Sequence, residues 1–147
     1  MSKTRAFSED FLQLIFNATA IANIADNAGT APATDLAISL HTASPGETGD
    51  ATTSETTYTG YSRVNVSRAS GAGGWTVATG VDPASVSPTD DTDFGECIAA
   101  PGGALTHFGI SIPGGNVLLY YGTLTPNIAM STGVIPRIKN TSTITED

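Results

Sequence analysis

The chain has 147 residues, a length typical of one domain around a single hydrophobic core. Its 14 acidic residues outnumber its six basic residues, and the net charge of −8 argues against a nucleic-acid partner, because binding to phosphates requires positive charge. No apolar run is as long as the roughly 18 residues that a helix needs to span a bilayer. The single cysteine excludes an internal disulfide framework.

The N-terminal residues 1–7 are polar and basic, and we expect them to form an arm. Lys3 and Arg5 are its candidate contact residues, because a positively charged arm suits an acidic surface on a larger assembly. The acidic residues Glu9 and Asp10 precede the apolar stretch, a pattern that does not fit a secretory signal. We therefore expect a protein that is made in a cytoplasm.

Residues 8–26 have the pattern of one amphipathic helix. Ser8 is a suitable N-cap, and the two acids that follow it complement the helix dipole. Apolar side chains then recur at three- and four-residue spacing, namely Phe11, Leu14, Ile15, Ala18, Ile21, Ala22 and Ala25. We predict that this helix covers one end of a β core, with docking onto a partner as the alternative.

From Leu36 onward the apolar period changes to two, which is typical of β-strands. Turn signals predict two long polar loops, residues 43–60 and 80–93, and a shorter loop at Pro126. The strongest local prediction is a β-hairpin with its turn at residues 114–116. The predicted strands are residues 36–41, 61–68, 75–77, 94–99, 105–112, 117–124, 134–139 and 141–145.

These seven or eight short strands predict an all-β fold, a jelly-roll-like sandwich of about eight short strands with one N-terminal α-helix. Neither an internal repeat nor a shift in composition marks a second domain. We therefore expect one domain over residues 1–147, with the sandwich in residues 35–147.

The two histidines, His41 and His107, are the first candidates for chemistry. Each stands beside a threonine in a predicted strand, which allows the two to lie on adjacent strands. A catalytic or metal-binding pair requires them to converge, whereas no serine stands in a nucleophile pattern and Cys97 has no obvious base nearby. We favour a structural role, with each ring hydrogen-bonded to backbone or hydroxyl groups and with Cys97 as a small buried residue.

The densest acidic cluster consists of Asp90, Asp91, Asp93 and Glu96. Ca²⁺ prefers such oxygen ligands, but the EF-hand spacing is absent, because the mid-loop Gly is missing and Glu96 comes too early. We favour solvated loop carboxylates, with a calcium site and paired catalytic carboxylates as the alternatives. The sequence thus predicts no catalytic residue, no metal and no cofactor.

The remaining candidate residues are ones for contact between subunits or with a larger assembly. One of the two arginines Arg63 and Arg68 is expected to pair with Glu55 or with a carboxylate on another subunit. Arg63, which suits bidentate contacts, is the first candidate for an anchor to another subunit. Tyr58, Tyr61 and Trp75 are predicted contact aromatics, and a role in covering the core is their alternative.

An ordered set of motifs resembles a group of small virion proteins of tailed bacteriophages. The first is LHTASPGETGDATTSETTYTGYSRV at residues 40–64, in which an L-H-T-x-x-P-G turn leads to an E-x-x-Y-T-G-Y-x-R step. GGW at 73–75, THFGI at 106–110 and LLYYGTL at 118–124 follow in order. Such proteins are described as tail-fibre-like or as head cement, and their motif positions carry no catalytic assignment.

The resemblance implies a non-enzymatic structural component of a virion, made in the host cytoplasm. Small β proteins of this size commonly decorate head lattices as trimers. We therefore expect a capsid decoration (cement) protein, a homotrimer on the outer surface of the head, whose partner is the major capsid protein. A tail-fibre or baseplate-associated protein and a glycan-binding sandwich on the particle surface are the alternatives. Neither a nucleic acid nor a membrane is expected as a partner.

Overall fold

The computed structural model describes residues 4–21 and 32–146. This part of the chain forms one α-helix and nine β-strands, so the predicted all-β fold class with one N-terminal helix is confirmed. The elements are α1 (Arg5–Phe16), β1 (Asp35–His41), β2 (Val64–Ser67), β3 (Trp75–Ala78), β4 (Ala84–Pro88), β5 (Thr92–Asp93), β6 (Leu105–Ser111), β7 (Leu118–Ile128), β8 (Arg137–Ile138) and β9 (Ile144–Glu146).

The strands form three sheets with the orders β2-β1-β6-β7, β3-β4-β9 and β5-β8. The chain divides into two compact units. Unit 1 consists of residues 1–35, 66–91 and 139–147 and includes α1, β3, β4 and β9. Unit 2 consists of residues 36–65 and 92–138 and includes β5, β6, β7, β8 and all of β1 after Asp35. One domain over the whole chain stays a prediction.

Helix α1 in unit 1 begins and ends earlier than predicted. Thr4 is its N-cap and accepts a hydrogen bond from the Phe7 N–H at 3.4 Å. The predicted N-cap at Ser8 is wrong, because Ser8, Leu12 and Phe16 form the buried stripe of the helix at four-residue spacing. Residues 5–7 of the predicted arm are therefore helical.

The carbonyl groups at the C-terminal end of α1 accept hydrogen bonds from Arg68. Its guanidinium donates to the carbonyl oxygens of Leu14 and Ile15, and to that of Ala33 at 3.0 Å. The first two belong to the last turn of the helix, where carbonyls lack helical partners and a cation is favourable. The predicted continuation beyond Phe16 is wrong as far as Ile21, and residues 22–26 lie outside the described residues.

Strand β4 in unit 1 lies within residues 80–93, which the sequence predicts to be a loop. That prediction is wrong for Ala84–Pro88, where Ala84 and Val86 are buried and alternate with two serines. Strand β3 is confirmed, and it pairs antiparallel with β4. The alternation was hidden by small residues and flanking prolines, which are also typical of loops.

Strand β1 is the central element of unit 2. It is buried on both faces from Leu36 to His41, and its two edges are paired with β2 and β6. The predicted hairpin is confirmed as β6 and β7, which pair antiparallel. The predicted loop at Pro126 is wrong, since β7 continues to Ile128, and the predicted strand over 94–99 is replaced by the short β5.

Candidate functional site

The motif residues Glu55 and Arg63 form an ion pair inside unit 2, so Arg63 is the arginine that pairs with Glu55. Arg63 Nε donates to Glu55 Oε1 and Nη2 donates to Oε2, both at 2.7 Å. Only 21% of the Arg63 side chain and 15% of the Glu55 side chain are exposed. This bidentate geometry requires the planar fork of an arginine, which a lysine does not supply.

The two charges stabilise each other in this partly buried place. The hydrogen bond to Glu55 raises the pKa of Arg63. Burial acts to raise the pKa of Glu55, but the hydrogen bonds from Arg63 and Tyr61 outweigh it, so the pKa of Glu55 is lowered. Both side chains are therefore charged at neutral pH.

Arg63 also holds residues 43–60, hereafter the motif loop, against the turn of the β6–β7 hairpin. Its Nη2 donates to the Ala51 carbonyl oxygen at 3.1 Å, and its Nη1 donates to the Gly115 carbonyl oxygen at 3.0 Å. The Ala51 N–H donates to the Asn116 carbonyl oxygen at 3.0 Å beside it. Four donor contacts of the guanidinium thus lie within the chain, and an anchor to another subunit stays a prediction.

Tyr61 connects this ion pair to β1. Its hydroxyl donates to Glu55 Oε1 at 2.7 Å and accepts from the Leu40 N–H at 3.1 Å. Burial, followed by the hydrogen bond to Glu55, raises the pKa of Tyr61 far above its usual value, so the hydroxyl keeps its proton. The residues Leu40, His41, Glu55, Tyr61 and Arg63 are called the motif cluster below.

Gly60, the glycine of the Y-T-G-Y motif, is required by the path of the backbone. Its φ of +104° lies in the left-handed region, and an added Cβ would lie 2.1 Å from the Glu96 carbonyl oxygen. No side chain fits in that space without a shift of the backbone. The glycine therefore allows the end of the motif loop to lie directly against residues 95–96.

His41 is fully buried and holds the motif loop from β1. Its Nδ1 lies 2.9 Å from the Thr53 carbonyl oxygen, and its Nε2 lies 2.8 Å from the Ser39 Oγ. Because a carbonyl oxygen only accepts, Nδ1 carries the proton and Nε2 accepts from the Ser39 hydroxyl. Burial lowers the pKa of His41, which favours this neutral form.

The contact between Ser39 and His41 has the length of a nucleophile–base pair. Both side chains are fully buried, so a substrate does not reach the Ser39 hydroxyl in this structure. The Ser39 Oγ also lies 3.4 Å from the Gly109 carbonyl oxygen. A Cβ added to Gly109 would lie only 2.7 Å from this Oγ, so β1 and β6 are closely packed here. This packing indicates a structural contact.

His107 lies directly opposite His41 in the register of β6 and β1. Its Nδ1 lies 2.8 Å from the Thr106 hydroxyl. Adjacent strands and hydrogen bonds to hydroxyl or backbone groups are thus confirmed for both histidines. Across residues 4–21 and 32–146, His, Cys, Asp and Glu side chains form no group of three that is placed to hold a metal ion.

Two of the predicted contact aromatics are buried in this chain. Trp75 has no exposed surface and packs edge-on against Phe16, with ring centroids 4.7 Å apart. Tyr58 is also buried, and its hydroxyl donates to the Gly95 carbonyl oxygen at 2.9 Å. Both positions fit the alternative of core coverage, and Trp75 offers no exposed ring on which a glycan would stack.

Arg5, a predicted contact residue of the arm, lies apart from the motif cluster in the sequence and belongs to unit 1. Arg5 is exposed in the first turn of α1, and its Nε lies 3.5 Å from Glu9 Oε1. Lys3 lies outside the described residues. A contact of either residue with another protein stays a prediction.

Each aspartate of the acidic cluster has its own partner. Asp90 accepts from the Gly73 N–H at 2.8 Å, and Asp91 accepts from the Asn140 N–H at 2.9 Å. Asp93 pairs with Arg137, whose hydrogen bond lowers the pKa of Asp93. The carboxylates thus stabilise turns and the β5–β8 pair.

Several partners in these contacts lack a local sequence signal. Ser39 is 70 positions from Gly109, and Arg68 is 53 positions from Ile15.

Cys97 is buried with its Sγ 3.7 Å from the Ala99 carbonyl oxygen, which confirms the prediction of a small buried residue. The described residues contain no helix long and apolar enough to cross a membrane.

The motif residues His41, Glu55, Tyr61 and Arg63 thus make contacts within unit 2 and hold the motif loop, whereas Trp75 of the GGW motif is buried in unit 1. A family model described as "Podophage GP4 fiber I protein gp80" matches residues 11–145. The chain belongs to this family. The match confirms the resemblance to small structural proteins of tailed-phage virions, and the protein is a virion structural protein. No curated protein matches the sequence.

Proposed function

We propose that this protein is a non-enzymatic component of a tail fibre in a tailed-phage virion. The family match over residues 11–145 carries this proposal, because the family description names a fibre protein. Decoration of the head, which the resemblance first suggested, becomes the alternative, since the description does not refer to the head. The net charge of −8 suits a protein on the outer surface of the particle, whether in a tail fibre or on the head.

The contacts of the motif cluster support a structural role. Glu55 accepts from Tyr61 and Arg63, which are also hydrogen-bonded to the backbone of unit 2, and His41 is buried and hydrogen-bonded to the Thr53 carbonyl oxygen. A catalytic group must touch a substrate, and these groups are occupied by the protein itself. The free energy of these contacts stabilises the loop that they surround.

A loop held in this way presents a prepared surface to a partner. The backbone of the motif loop is hydrogen-bonded to Arg63 at Ala51 and to His41 at Thr53. The loop exposes short polar side chains, namely Ser44, Thr48, Thr52, Ser54 and Thr57. A surface that is ordered before binding loses less conformational entropy on contact. This property suits a component that is permanently assembled into a particle.

The copy number of the protein in purified virions tests the proposal. Quantitative mass spectrometry with isotope-labelled peptides of this chain, the major capsid protein and a tail protein gives the two ratios. A fibre component is expected at a copy number of the same order as the tail protein. A copy number that approaches that of the capsid protein would instead establish head decoration.

A further inference from the structure

Strand β7 is the longest strand of the described residues and lies at one end of its sheet. It has 11 residues, which corresponds to a length of about 36 Å. The sheet order is β2-β1-β6-β7, so β7 has one neighbouring strand among residues 4–21 and 32–146, whereas the opposite end strand β2 has only four residues. A long strand at the end of a sheet presents an edge to which a further strand can be added.

Exposed apolar side chains accompany this edge. Val117 is 58% exposed, Leu119 is 37% exposed and Tyr121 is 39% exposed, and Ile112 on the other side of the hairpin turn is exposed as well. Leu119 and Tyr121 are more exposed than Leu118 and Tyr120, with which they alternate on β7, and the register with β6 shifts beside Leu119. Their exposure leaves apolar surface in contact with water at the outer strand of unit 2.

The same region is free of charge in an otherwise acidic chain. Residues 97–136 contain no Lys, Arg, Asp or Glu, so the whole net charge of −8 comes from the rest of the sequence. Natural edge strands are commonly protected from association by charged side chains, especially lysine. Strand β7 lacks charged side chains, and its one proline, Pro126, lies near its C-terminal end, beyond Leu119 and Tyr121.

We propose that β7 docks a second copy of this chain, with Leu119 and Tyr121 in the contact. Two chains of charge −8 repel each other, and a contact through β7, which contains no charged residue, adds no opposed like charges from this strand. A basic partner would instead bind the acidic surfaces outside this region. The hairpin is also held in place by Arg63 at Gly115, which reduces the cost of ordering it on contact.

This inference does not depend on where the protein lies in the virion. Its test is sedimentation equilibrium of the purified full chain from about 1 to about 100 μM, where weak and moderate association are both visible. We expect wild-type protein to reach a multiple of its 15.0 kDa mass. Tyr121→Glu is expected to raise the dissociation constant at least about tenfold, because it places charges in an apolar contact.

Val81→Glu is the matched control, because Val81 is 41% exposed but lies in unit 1. It is expected to associate as the wild type does. Leu119→Glu provides a second variant if circular dichroism shows that Tyr121→Glu does not fold. A wild-type protein that is monomeric throughout this range, or association that the β7 variants and Val81→Glu weaken equally, would overturn the proposal.

Discussion

At the scale of single residues, the contacts of Arg63 connect an ion pair to two backbone carbonyls. The guanidinium neutralises Glu55 and orients this carboxylate, which accepts the hydrogen bond from the Tyr61 hydroxyl. It also donates to the carbonyl oxygens of Ala51 and Gly115. Removal of one partner from a pair that is mostly buried leaves the other with an unsatisfied charge. Loss of one partner from such a pair therefore lowers the free energy of unfolding more than loss of one partner from an exposed pair.

Replacement of Arg63 by alanine is expected to lower the free energy of unfolding by about 2–4 kcal/mol. Glu55 and two carbonyl oxygens lose their partner, and the motif loop loses its contact with the hairpin turn. Urea denaturation followed by circular dichroism measures the change. Arg137→Ala is the control, since its pair with Asp93 is about half exposed and we expect a much smaller effect. Equal losses in both variants would contradict the role of Arg63.

The pH dependence of stability is expected to contain a contribution from His41. Burial lowers its pKa in the folded state, while the unfolded chain titrates near the ordinary value of 6.5. The unfolded state therefore binds more protons below about pH 6.5, and the free energy of unfolding falls as the pH decreases from 6.5 through the folded pKa. Glu55, whose pKa is lowered, adds a further loss below its usual value of 4.5.

Urea denaturation between pH 7.5 and pH 5, values chosen to bracket roughly the histidine range, measures this contribution. His41→Gln removes the titrating group, so its free energy of unfolding is expected to depend less on pH in this window than that of the wild type. A variant with the same slope as the wild type would exclude His41 as the source.

At the scale of elements, the sequence predicts what depends on local pattern. The hairpin of β6 and β7 was predictable from two alternating segments around a Gly-Gly-Asn turn, and β1 from its period of two. Strand β4 was missed because its buried Ala84 and Val86 are small and stand between prolines. The start of α1 was misplaced because Ser8 matches an N-cap, whereas packing uses it with Leu12 and Phe16 in the buried stripe.

The motif cluster was predictable only where its partners are close in sequence. Glu55 and Arg63 are eight positions apart, and both belong to one motif. The contacts of Ser39 with Gly109 and of Arg68 with α1 join positions more than 50 residues apart. Such contacts follow from the arrangement of whole strands and helices, for which a single sequence has no local signal.

The turn at the end of the motif loop supplies a prediction at this scale. Gly60→Ala is expected to lower the free energy of unfolding by at least about 3 kcal/mol, because strain at positive φ adds to a clash with the Glu96 carbonyl. Gly133→Ala is a matched control, with a φ of +90° and no atom within 4 Å of the added Cβ. It is expected to cost about 1–2 kcal/mol. Similar losses in the two variants would exclude the close approach at Gly60 as the cause.

At the scale of the whole molecule, charge and apolar surface are distributed unevenly along the chain. The acidic residues lie outside residues 97–136, and that uncharged region includes the exposed side chains of β7. Acidic surfaces keep such a protein soluble and repel nucleic acid, while a neutral edge permits contact with another protein. This distribution is consistent with a protein whose role is fulfilled within an assembly.

The most direct test of the fibre assignment is the location of this chain in the particle. Cryo-electron microscopy of wild-type virions and of virions that lack the protein gives a difference map. We expect the missing density at the tail, with an unchanged head shell. Missing density distributed over the outer surface of the head would contradict the assignment.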